Sequence, residues 1–120
     1  MANIKGLIFC VFGDACPSCR GMDALKVLDV IRQETSLDFV DFHPQICTEQ
    51  GNQFLKDLLD NINIDKLYVA GCDPLMQQKL FLKTFKAAGF DKARHVAFDV
   101  RNLTTEQAVA GIKELIKNNP

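Results

Sequence analysis

The sequence predicts an α/β fold: a single three-layer domain in which helices cover both faces of a four-stranded, mainly parallel sheet. Three observations carry the prediction. Four apolar runs alternate with four amphipathic stretches, in the order β-α-β-α-β-α-β-α. Strands joined by helical crossovers lie parallel, with right-handed connections and helices on the faces of the sheet. The length, 120 residues with 48% hydrophobic content, suffices for one core and is too short for two.

Residues 4–12 are β-branched, aromatic and almost uninterrupted in their apolar character, as a buried strand requires. Over residues 22–33, Leu25, Leu28 and Ile31 recur at helical spacing, while Lys26, Asp29 and Arg32 face away. Residues 37–43 form a second, short strand, and residues 52–62 repeat the helical pattern through Phe54, Leu55, Leu58, Leu59 and Ile62. Residues 66–71 give a third strand. Asp73 then reads as an N-cap, with Pro74 at the first helical position. That helix runs to about residue 88 and stops at Gly89, a suitable residue just past a helix end. Its Phe81 and Phe85, with Phe90 beyond it, read as core. Residues 93–100 give the fourth strand, and the capping-box spacing of Thr104 and Gln107 opens a last helix that ends near Lys117. The expected sheet is Rossmann/flavodoxin-like: every strand-to-helix loop leaves at the same edge, and ligands bind in the crevice there.

Charge narrows the function. Lys plus Arg number 14 and Asp plus Glu 15, a net charge of −1. Such balance offers no overall electrostatic footprint for nucleic acid or an anionic membrane. The apolar runs fall far short of a membrane span. The opening Met1-Ala2-Asn3-Ile4-Lys5 lacks the layout of a secretory signal, so the expected compartment is the cytoplasm. No phosphate-binding glycine motif is present: Gly13, Gly21, Gly51, Gly71 and Gly89 form no G-x-G-x-x-G.

Five cysteines stand out: Cys10, Cys16, Cys19, Cys47 and Cys72. An odd number cannot be absorbed by disulfides alone, and in a reducing compartment cysteines near turns point to metal, cluster or redox chemistry. Cys10 lies near the end of the first strand, Cys16 and Cys19 in the loop after it, Cys47 after the second strand and Cys72 after the third. Parallel topology would bring all five to one edge. Cys19, Cys47 and Cys72 precede helices by a few residues, where unpaired N–H groups and the helix dipole stabilise anions and lower thiol pKa values. A thiolate-ligated cluster carries negative charge, and Arg101, after the fourth strand, is placed to offset it. The simpler alternative is a small buried hydrophobe, and it is strongest for Cys10, inside Phe9-Cys10-Val11-Phe12. His43, before Pro44, is a candidate ligand or proton donor, though a polar loop histidine is the plainer reading. His95 begins the fourth strand, near the opposite edge, and receives no role.

Two resemblances follow from these motifs. Residues 12–22, Phe-Gly-Asp-Ala-Cys-Pro-Ser-Cys-Arg-Gly-Met, lie after a strand and before a helix and resemble the active-site stretch of thioredoxin. That resemblance implies a thiol–disulfide oxidoreductase in which Cys16 attacks and Cys19 resolves. The family also has a proline just before a later strand, and residues 62–68 contain none.

The second resemblance covers most of the chain. Cys10 at a strand end, Cys47-Thr48-Glu49-Gln50-Gly51, Cys72-Asp73-Pro74, the Phe-rich stretch from Phe81 to Ala88-Gly89, and Asp99-Val100-Arg101 follow in order. This succession resembles the N-terminal domain of the flavin and iron–sulfur subunit of heterodisulfide reductase, taking residues 1–120 as a single domain. The delta subunit of methyl-viologen-reducing hydrogenase shares the scheme of cysteines after three strands, with a poorer fit beyond Cys72. The chain departs from the family where Cys10-Val11-Phe12-Gly13 lacks the second cysteine of Cys-x-Cys-Gly, and where Leu75 and Gln77 replace an Arg and a His.

The resemblance implies an iron–sulfur electron-transfer module, with 4Fe–4S favoured over 2Fe–2S. Cys10, Cys47, Cys72 and one of Cys16 or Cys19 would be ligands, and Arg101 would lie beside the cofactor. No bond-making chemistry would occur in the chain itself. Its partners would be flavin- or iron–sulfur-containing subunits, with neither nucleic acid nor membrane involved. A cluster-free scaffold protein that kept the fold is the remaining alternative.

Overall fold

In the computed structural model, residues 4–10, 23–43, 48–71 and 74–119 are described. β1 (Ile4–Cys10) is followed by α1 (Ala24–Glu34), β2 (Phe39–His43), α2 (Glu49–Asn61), β3 (Ile64–Gly71), α3 (Pro74–Ala88), β4 (His95–Asp99) and α4 (Thr105–Asn118). All strand pairs are parallel, in the spatial order β2-β1-β3-β4. β1 and β3 are therefore central. Their near-continuous burial explains why both read as unbroken apolar runs rather than alternating ones.

The side chains of each strand alternate between two cores. On one face Leu7, Phe9, Val40, Tyr68 and Ala70 meet Val27, Leu28 and Ile31 of α1 and Ala108 and Ile112 of α4. On the other, Ile8, Ile64, Leu67 and Val69 meet Leu55 and Leu59 of α2 and Phe81 and Phe85 of α3. Burying one such large apolar side chain contributes about 1.5–3 kcal/mol. Phe81 and Phe85 are core, as their spacing predicts, and Phe90 packs against them half-buried.

Caps account for most differences at element boundaries. α2 starts three residues before 52, because the Thr48 hydroxyl accepts from the Gly51 amide at 3.2 Å. Residues 92–94 form a 3-10 turn closed by the Asp91 carboxylate on the Ala93 amide at 2.9 Å, so β4 begins at His95 and not at 93. β2 starts at Phe39 and not at 37, and β3 starts at Ile64, two residues earlier than 66. α1 begins at Ala24 under an Asp23 cap, and the expected continuation of the first strand over Val11 and Phe12 lies outside the described residues. The predicted capping box of Thr104 and Gln107 is present in both directions. Gly89 has a φ of +69°, the left-handed conformation expected just past a helix end.

Candidate functional site

In a parallel sheet of order 2-1-3-4, the connections from β1 and β3 leave toward opposite faces, opening a crevice beyond their carboxyl ends. Cys10 is the last residue of β1 and Gly71 the last of β3. The two are in close approach: a Cβ added at Gly71 would lie 3.1 Å from Cβ of Cys10 and 3.9 Å from its Sγ. Cys10 is half-buried and points to the α2–α3 face, with Ile4 and Ile8. Of the five predicted thiols it alone belongs to the described residues; Cys16, Cys19, Cys47 and Cys72 lie outside them, as do Asp14, Asp73 and Pro44. The flanking described residues are Gly71, directly before Cys72, and Thr48, directly after Cys47. Thr48 caps α2 and Pro74 opens α3, so the N–H ends of both helices rise from the carboxyl edge of the sheet.

His43 pairs with Cys10 across the β1–β2 ladder and stacks on the Phe54 ring of α2, with centroids 4.5 Å apart. Arg101 lies past β4 and its guanidinium is engaged by Asp99 in an exposed pair, Nη2 to Oδ2 at 2.7 Å and Nε to Oδ1 at 3.0 Å. That hydrogen bonding holds the Asp99 carboxyl below its ordinary value. The next residue, Asn102, turns the chain at a φ of 63°, which a short amide side chain tolerates.

A polar pair to which the sequence pattern assigns no role joins α3 to β4. Gln77, 1% exposed in the first turns of α3, sends Nε2 toward the Val69 carbonyl at 3.3 Å and the Phe98 carbonyl at 3.5 Å. The same Nε2 would be 3.6 Å from a Cβ at Gly71. With the amide nitrogen turned to backbone carbonyls, Oε1 is the acceptor for His95 Nε2 at 3.1 Å, which makes that nitrogen the donor. His95 therefore has a structural partner at the amino end of β4, although the sequence gives it no role. The one signal in the sequence was that Gln77 stands where the resembled family has a His. Burial pushes the His95 pKa down to about 4, so its ring is neutral at physiological pH.

Among the described residues no three His, Cys, Asp or Glu side chains converge as metal ligands, and four of the five thiols lie outside those residues. No helix among them is long and apolar enough to cross a membrane. No protein-family model and no curated protein matches the chain.

Proposed function

We propose that this chain is a cytoplasmic iron–sulfur electron-transfer module, a counterpart of the N-terminal domain of the flavin and iron–sulfur subunit of heterodisulfide reductase. It would exchange electrons with a flavin- or iron–sulfur-containing partner protein. One observation carries the reading. Cys10 ends β1 against Gly71, so the described backbone that leads into Cys72 in sequence adjoins another cysteine of the set at the switch point of the sheet.

The donor set suits the group. Thiolates are the usual ligands of iron–sulfur clusters, and five are available for four places. Cys10, Cys47, Cys72 and one of Cys16 or Cys19 would hold the cluster, which when bound supplies reversible one-electron storage. The chain's own residues set its surroundings. Gly71 contributes no side chain next to Cys10, whereas a Cβ there would crowd it. Gln77 offers a neutral amide, fixed in orientation by His95 and two carbonyls. The amino ends of α2 and α3 supply partial positive charge at the same edge. Arg101 is tied to Asp99, so the charge it can offer an anion is already partly offset.

Anaerobically purified Cys47→Ser and Cys72→Ser variants should each lose bound iron while keeping the far-ultraviolet spectrum of the parent. Full iron content in both variants would remove these residues from the ligand set and the reading with them.

A further inference from the structure

α3, the 3-10 turn and the start of β4 enclose a groove of about 560 Å³ whose floor is Leu75, Leu82, Phe85 and His95 and whose rim carries Lys79 and Lys92. Leu75 and Leu82 are 69% and 38% exposed, although they lie on one stripe of α3 seven residues apart, about two helical turns. The charge around this groove is one-sided. Residues 74–94 contain Lys79, Lys83, Lys86, Lys92 and Arg94 against Asp91 alone, a net +4, so the rest of this −1 chain carries −5. All five cations are exposed, and none forms an ion pair among the described residues.

We infer that this groove docks an acidic amphipathic helix of a partner protein, with its apolar ridge on Leu75, Leu82 and Phe85 and its carboxylates against Lys79 and Lys92. A concave apolar floor suits the ridge of a helix better than the flat surface of an anionic membrane. The chain's own segments outside the described residues contain only Asp14, Asp73 and Arg20, too little acid to be the occupant. The lining residues named here belong to the described part of the chain and none is a proposed cluster ligand, so docking does not require a bound cluster.

The test uses the whole chain, labelled with nitrogen-15. It is titrated to about 1 mM, the weak limit of specific binding, with a synthetic helix bearing Leu at i, i+4 and i+7 and Glu elsewhere. The same peptide with Lys for Glu, and vesicles rich in phosphatidylglycerol, serve as comparisons. The acidic peptide should shift the resonances of Leu75, Leu82 and His95. Binding should weaken about tenfold in K79E/K92E and again in high salt. Leu82→Ala, at an exposed position, should weaken it without loss of fold. Several results would overturn the inference: no shift at these residues, equal binding of the Lys peptide, indifference to K79E/K92E, or a preference for vesicles. Self-association through the same residues without a response to the peptide would overturn it too.

Discussion

At the first residue of β4, the His95 ring meets Phe81 and Phe85 edge-on, with centroids 5.8 and 5.3 Å away, and donates to Gln77. Its folded pKa of about 4 lies below the unfolded value near 6.5, so between the two only the unfolded chain takes up the proton. Stability is therefore full above about pH 6.5 and declines as pH falls toward about 4, by up to about 3 kcal/mol. Asp99 acts in a lower window. Its depressed pKa adds stability above the ordinary carboxylate range, and that stability is lost as pH falls through the folded value. Urea unfolding from about pH 7.5 to about pH 5 should show a decline in the parent that is absent in His95→Phe. Equal slopes in the two proteins would assign the proton uptake to another group. Little of this was legible in the sequence. Gln77 and His95 are 18 residues apart on a helix and a strand, and they meet only because α3 lies over β3 and β4.

β2 is an edge strand of five residues, and two contacts fix its place in the sheet. The Arg32 guanidinium of α1 donates to the Val40 carbonyl at 2.9 and 2.7 Å. Phe39, the register partner of Gly6, lays its ring over that glycine, and a Cβ added at Gly6 would fall 2.0 Å from the ring. Gly6→Ala should cost about 1–3 kcal/mol through overpacking, and Phe39→Leu in the same chain should recover part of the loss. Denaturant unfolding of both single variants and the double measures the coupling; strictly additive effects would mean that the ring is not the obstacle. Elements with strong local chemistry were legible in advance: the Thr104–Gln107 box and the Gly89 stop both rest on side chains within one turn of the boundary. The start of α2 was not, because Glu49 and Gln50 are exposed and interrupt the apolar spacing that begins at Phe54. β4 is shorter than its apolar run suggests because Ala93 looks like strand until the Asp91 carboxylate bends residues 92–94 into a turn.

Across the whole molecule, the alternation of strands and helices was enough to make the sheet parallel and to place the helices on two faces. The spatial order was a further property, set by the β1–β3 pairing and by which face each helix covers. That order makes the end of β1 and the end of β3 neighbours, and it brings Cys10 and Gly71 together from positions 61 residues apart. That Cys10 lies near the end of the first strand was legible from the apolar run over residues 4–12. The buried amide of Gln77 was not, since Gln77 on α3 reads as one more polar residue of a surface helix. Tyr68, buried in β3, donates its hydroxyl to the Asn119 carbonyl and so ties the end of α4 to the centre of the sheet. Anaerobic purification followed by a visible spectrum, with iron and acid-labile sulfide assays, tests the electron-transfer reading most directly. A cluster-bearing chain should emerge brown, with iron and sulfide near stoichiometric amounts for one cluster. A colourless protein that also resists reconstitution with iron and sulfide would contradict it.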